Sequence, residues 1–197
     1  MPIINEPMNT ESKYHVDETR KREEAEMIAR AKSDPAAFEP LYTRYFEPIF
    51  RFVYQRMDEV DAAKDCTQQV FIKALNSLNK YEDRGLPFSS WLYRIALNEL
   101  NQYFRNHQQA RCLNLESAGL EEMMETIEED HYEPYIEKLS EVMNQLEPEN
   151  LAMIEMRFFE KSSFKEIAEI LDLTESNAKV KLYRLLDKLK LILTRVA

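Results

Sequence analysis

The chain has 197 residues, a formal net charge of −10, and 44% hydrophobic with 11% aromatic side chains, enough apolar material for one ordinary core or two small ones. Only two glycines occur, Gly85 and Gly119, and no segment alternates apolar and polar residues for long, which excludes a hairpin-built sheet and leaves an all-α fold. Cys66 and Cys112 have no partner spacing for zinc or a redox pair, and no window reaches the roughly 18 to 20 apolar residues of a membrane span, so a soluble protein of the reducing cytoplasm, without membrane insertion, is expected.

Prolines at 2, 7, 35, 40, 48, 87, 134 and 148 leave three long proline-free blocks that helices should fill, 49–86, 88–133 and 149–197. Residues 1–16 read as a tail, followed by a short helix from Glu18 to Lys32. Asp34 then stands as an N-cap with Pro35 at the first helical position, where the missing N–H costs nothing. From there Phe38, Leu41, Tyr42, Tyr45, Phe46, Ile49, Phe50, Val53 and Tyr54 recur at helical spacing and define one buried face, with Pro40 and Pro48 expected to kink or split the helix. A helix from Asp61 turns Ala62, Cys66, Val70, Phe71, Ala74 and Leu78 inward, and a loop over 79–87 ends on Gly85 and Pro87. The next helix starts near Phe88 and buries Trp91, Leu92, Ile95, Ala96, Leu100 and Tyr103.

Between Cys112 and Glu137 stand nine carboxylates and no Lys or Arg, the composition of a linker or a weakly helical strip. Helical pattern resumes over Tyr135–Leu146 and, after Pro148, over Glu149–Glu160. Ser163 caps the following helix, whose Ile167, Ala168 and Leu171 face inward. Asp172, Leu173 and Thr174 make a corner: Asp tolerates a left-handed backbone, and Thr174 is placed to cap the last helix. That helix buries Ala178, Leu182, Leu185, Leu186 and Leu189. Two small helical domains joined by an acidic tether is the expected organisation.

The last helix carries Asn177, Lys181 and Arg184 opposite its apolar face, with Lys179 and Tyr183 on the flanks, and Thr174–Ala197 holds six basic against two acidic residues. A helix-turn-helix puts the start of its second helix in the major groove, where Asn and Arg read base edges and Lys holds phosphate. An ordinary helical hairpin with a solvated basic face has the same pattern. In Asp83–Arg111, Arg94, Asn98, Asn101, Gln102 and Arg105 share one helical face beside aromatic residues. Such a face suits single-stranded bases, which offer hydrogen-bonding edges and a stacking surface, although Trp91 also fits a core position and the amides a plain exposed surface. The three histidines lack ligand spacing, there is no glycine-rich phosphate loop, and no Ser or Cys stands in a nucleophile motif. No catalytic, metal or cofactor residue is assigned, and enzymatic activity is not expected.

Taken together, "DPAAFEPLYTRYFEPIFRFV", "DAAKDCTQQVFIKALNSL" and "PFSSWLYRIALNEL" resemble region 2 of bacterial RNA polymerase sigma factors of the extracytoplasmic-function (ECF, group IV) class, in the sigma-70 family. "LEPENLAMIEMRFFEKSSFKEIAEILDLTESNAKVKLYRLLDKL" resembles region 4. The resemblance implies a tail over 1–22, region 2 over 23–110, an acidic linker over 111–134 and region 4 over 135–197. It implies promoter-specific initiation with core RNA polymerase, bound at the β′ clamp helices through Asp65, Gln68, Gln69 and Phe71 and also at the β flap. Lys80, Tyr81, Arg84, Arg94, Asn98, Asn101, Gln102 and Arg105 would open and read the minus-ten element as single strand. Asn177, Lys179, Lys181, Tyr183 and Arg184 would read the minus-thirty-five element as duplex. The linker would thread the polymerase cleft, and an anti-sigma factor is a possible partner. A stand-alone helix-turn-helix regulator acting without polymerase is the rival reading, and it leaves the first domain unexplained.

Overall fold

Glu24, near the N-terminus, organises the first lobe: its carboxylate accepts the Tyr45 hydroxyl and, at 3.0 Å, the Phe88 N–H. Three helices meet there, and the Phe88 amide is one of the donors that a helix start leaves unpaired. Burial first, and the Glu24 carboxylate second, push the Tyr45 phenol well above its ordinary value. The computed structural model describes residues 18–57, 59–107 and 145–194, together with positions 122, 123, 126, 139, 142 and 143.

Helix α1 spans Glu18–Ser33. Asp34 caps the next turn as its sequence suggests, its Oδ1 accepting the Ala36 N–H at 3.0 Å, but Pro35–Phe38 is a 3₁₀ turn and α2 is Glu39–Tyr54. Pro40 falls in the first turn of α2, where no hydrogen bond is lost, and α2 runs through Pro48 without splitting. Helix α3 covers Val60–Ser77, a short 3₁₀ turn Leu78–Lys80, and α4 Phe88–His107. Helices α2, α3 and α4 pack on one another around Leu41, Ile49, Phe52, Val70, Ala74, Leu92 and Ala96. The anticipated face of α2 is largely buried, with two differences: Phe52 is fully enclosed against Tyr93, whereas Tyr42 is 37% exposed.

In the second lobe, α5 is Pro148–Ile154, continued by a π-helical turn over Glu155–Phe159 that the Glu160 N–H closes onto the Glu155 carbonyl at 3.0 Å. Helix α6 is Phe164–Leu171 and α7 is Glu175–Thr194. The corner between them is locally encoded. A capping box joins Ser163 and Glu166, Asp172 adopts φ 56°, and Thr174 Oγ1 accepts the Asn177 N–H at 3.2 Å. The expected Ala178, Leu182, Leu185, Leu186 and Leu189 are all buried, and Ile170 takes the core place beside the half-buried Leu171.

All regular structure among the described residues is helical. The tail, Cys112, most of the acidic linker and most of Tyr135–Leu146 lie outside the described residues, but Met123, Leu139, Val142 and Met143 are helical and buried, and Glu122 pairs with Lys161. The lobes touch: α4 packs on α6.

Candidate nucleic-acid and polymerase interface

The loop between α3 and α4 is shaped by its own polar groups. Asp83 Oδ1 accepts the Gly85 N–H at 2.7 Å, and Gly85 takes φ +71°, a conformation strained for any side chain. Lys32 Nζ donates to the Tyr81 carbonyl at 2.7 Å and lies 5.7 Å from the ring centroid. Tyr81 also packs on Phe88 and Trp91, with ring centroids 5.1 Å away in each case. Burial, then the carboxylates of Asp83, Glu24 and Glu169, push its phenol up, so it stays a neutral aromatic surface. Lys80, Tyr81, Arg84, Trp91 and Arg94 contribute to a hollow of about 110 Å³, aromatic inside and cationic at the rim.

Along α4, Asn98, Asn101, Gln102 and Arg105 are exposed on one face and Arg94 is half-buried at its start, as their spacing requires. This face borders a cleft of about 660 Å³ whose walls include Arg94, Asn98 and Asn101 on one side and Glu149, Asp172 and Lys181 on the other. On α7, Asn177, Lys179, Tyr183 and Arg184 are exposed. Lys181 is half-buried, its Nζ 2.5 Å from Glu149 Oε1. Tyr183 leans on Phe164, over whose other contacts the Arg157 guanidinium sits at 5.1 Å from the ring. Burial lowers the Arg157 pKa, the direction expected for a desolvated cation.

On α3, Asp65, Gln68 and Gln69 are exposed along one strip. Phe71 corrects the sequence-based expectation: at 4% exposure it is an inward residue, packed against Tyr42 at 4.8 Å and Phe46 at 6.2 Å between centroids. Ile72, 49% exposed, is the apolar side chain that α3 offers outward, with Tyr42 of α2 as another exposed apolar group. A residue that ends an apolar helical stripe looks the same from its spacing as one that begins an exposed patch.

Sequence reasoning also missed the polar contacts between the lobes. Arg51 holds both Glu160 oxygens at 3.1 and 3.2 Å, Tyr93 donates to Glu160 at 2.7 Å, and Arg56 pairs with Glu155 while its guanidinium lies over the Phe52 ring at 3.6 Å. Farther out, Glu169 Oε1 accepts from Arg84 at 3.0 Å and from Arg94 at 3.3 Å, and Arg94 reaches Asp172 at 3.6 Å. A usable signal was present in "LAMIEMRFFE": carboxylates inside an apolar run need a buried partner. Among the described residues, no cluster of His, Cys, Asp and Glu has the arrangement of a metal site, and no helix is long and apolar enough to cross a membrane.

The family Sigma-70 region 2 matches residues 41–110, and Sigma-70, region 4 matches residues 136–189, together more than half of the chain and in the order of the two lobes. The chain belongs to the sigma-70 family. It is similar to the ECF RNA polymerase sigma factor BldN of Streptomyces coelicolor, 27% identical over 168 residues that make up 81% of this chain and 61% of BldN. It is also similar to the RNA polymerase sigma factor YlaC of Bacillus subtilis, 26% identical over 162 residues, 81% of this chain and 93% of YlaC. The fold matches that of the sigma factor RpoE solved with the anti-sigma factor NepR from Bartonella quintana, with a TM-score of 0.54 and 18% identity over 81% of this chain and 97% of RpoE. This chain is therefore an ECF-type RNA polymerase sigma factor, with region 2 in α2 to α4 and region 4 in α5 to α7. The stand-alone regulator reading is not favoured, because both regions stand on one chain.

Proposed function

We propose that this sigma factor binds core RNA polymerase through the α3 strip and reads promoter DNA on two separate faces. Asp65, Gln68 and Gln69 meet the β′ clamp helices, with Phe71 supporting the strip from below and Ile72 adding apolar contact, while region 4 contacts the β flap. The minus-ten strand lies along Lys80, Tyr81, Arg84, Arg94, Asn98, Asn101, Gln102 and Arg105. An unstacked base in the hollow beside Tyr81 and Trp91 gains stacking energy of about 1–3 kcal/mol, which offsets part of the cost of opening the duplex. Asn177, Lys179, Lys181, Tyr183 and Arg184 read the minus-thirty-five duplex from the start of α7, where base contacts specify and phosphate contacts position.

The observation that carries this reading is the Arg, Asn and Gln face of α4 running out from an aromatic, cation-rimmed hollow. A net charge of −10 fits a protein that takes most of its nucleic-acid affinity from polymerase, so that only local faces need be basic. Work on chromosomal promoters places it in the cytoplasm, as a non-catalytic factor. The RpoE–NepR pair supports an anti-sigma partner for this chain too. In vitro transcription tests the reading: core polymerase plus this protein on fragmented genomic DNA is expected to give new starts sharing two upstream motifs. New starts that are independent of the protein, or none at all, would overturn it.

A further inference from the structure

Three of the cations assigned to DNA are held by the chain's own carboxylates: Arg84 by Glu169, Arg94 by Glu169 and Asp172, and Lys181 by Glu149. Glu169 and Asp172 belong to the helix-turn-helix, whereas Arg84 and Arg94 belong to region 2, so the pairs join the two promoter-reading halves. We propose that the packed form is a latch, in which Glu169 and Asp172 occupy the positions on Arg84 and Arg94 that phosphates of the minus-ten strand would take. The latch rests on the assignment of these arginines to the minus-ten strand.

Geometry and electrostatics agree on this. Carboxylate oxygens at 3.0 and 3.3 Å satisfy the same guanidinium donors that phosphate oxygens would use. The cleft beside Arg94, Asn98 and Asn101 has Glu147, Glu149 and Asp172 on its far side, a wall that repels an entering polyanion. Deeper contacts set the register of the closed form: Glu155 and Glu160, at the two ends of the π turn, meet Arg56, Arg51 and Tyr93. Interfaces held by ion pairs can part at moderate cost, because the charges regain hydration on opening. Polymerase, by binding the two regions at separate places, would draw the lobes apart and bare the arginines.

The test uses the full chain. Glu169→Gln with Asp172→Asn removes the competing charges and keeps the side-chain shapes. Labels on Lys64→Cys and Lys188→Cys, in a Cys66→Ala, Cys112→Ser background, report the distance between the lobes. Binding is read by anisotropy with a short, labelled DNA single strand of mixed sequence. The latch predicts longer interlobe distances and about 3- to 10-fold tighter strand binding, the sum of a few partly exposed ion pairs. A control, Glu39→Gln with Glu47→Gln, removes equal charge from α2 and is expected to bind as the unaltered chain does. Arg84→Ala with Arg94→Ala is expected to weaken strand binding. If that variant weakens binding while Glu169→Gln with Asp172→Asn changes neither distance nor affinity, the latch falls and the minus-ten assignment stands. Equal gains in the control and the latch variant also sink the latch, leaving only a net-charge effect. If the arginine variant binds normally, the minus-ten assignment itself fails and the latch with it.

Discussion

Arg56 of α2 and Glu155 at the end of α5 form an ion pair across the two lobes with 4% and 0% of their side chains exposed, and Arg56 also donates to the Phe52 carbonyl. A buried pair of this kind adds little net stability over an apolar pair, yet it penalises any arrangement in which one member is buried alone. It therefore specifies how region 4 sits on region 2. Glu155→Ala leaves the guanidinium enclosed without its carboxylate and is expected to destabilise the packed form by about 3–5 kcal/mol. Urea unfolding checks this, and the double variant Arg56→Met with Glu155→Leu should recover most of the loss. Unchanged unfolding of the single variant would contradict the buried pair.

Glu24 serves region 2 in a comparable way, accepting from Tyr45 and from the Phe88 N–H at the start of α4. Glu24→Ala strands a buried hydroxyl and a helix-terminal amide, for an expected loss of about 2–4 kcal/mol. Thermal unfolding measures it. Because α4 presents the minus-ten face, the same variant should also lower promoter opening at temperatures where the protein is still folded.

Local signals in the helix-turn-helix predict opposite signs. Ser163→Ala breaks the capping box and should cost about 1 kcal/mol. Asp172 sits at φ 56°, where glycine is at ease, so Asp172→Gly should stabilise the isolated turn by up to about 1 kcal/mol. Denaturant midpoints of the two variants would move in opposite directions.

Promoter effects should separate by face. Arg94→Ala is expected to slow open-complex formation while leaving polymerase binding intact. Lys179→Ala should weaken binding to all minus-thirty-five sequences alike, about as one lost phosphate contact does, with a shallower salt dependence. Footprinting over a salt series distinguishes them.

Cys66 supplies a pH test. Burial, and then the nearby Glu99 carboxylate, push its thiol up to about 12, against Lys73, which pulls it down. The neutral thiol is favoured in the folded state, so its contribution to stability is complete below pH 9, the ordinary thiol value, and is lost as pH rises from there to about 12. Iodoacetamide should therefore label Cys66 slowly in the folded protein up to pH 9 and rapidly after unfolding. Fast labelling under native conditions would place the thiol at the surface.

Much of region 4 is legible from spacing alone. Ser163 with Glu166, Asp172 and Thr174 act within three or four residues of the groups they serve, so their hydrogen bonds are written into the local chain. The inward faces of α3, α4 and α7 follow in the same way from the 3.6-residue period. Phe71 and Ile72 show the limit: neighbours in sequence, one is enclosed by Tyr42 and Phe46 and the other exposed, a difference decided by where α2 lies.

By itself, then, the sequence determined the helices, their caps and the residues that share each face, because those depend on dihedral preferences and on hydrogen bonds between near neighbours. Only the tertiary structure decided what each face meets. Glu160 finds Arg51 from 109 positions away and Glu169 finds Arg94 from 75. A carboxylate on a helix surface carries no local mark of whether water or a guanidinium will satisfy it, since both complete its hydrogen bonds and the choice is made by the packing of elements remote in the chain.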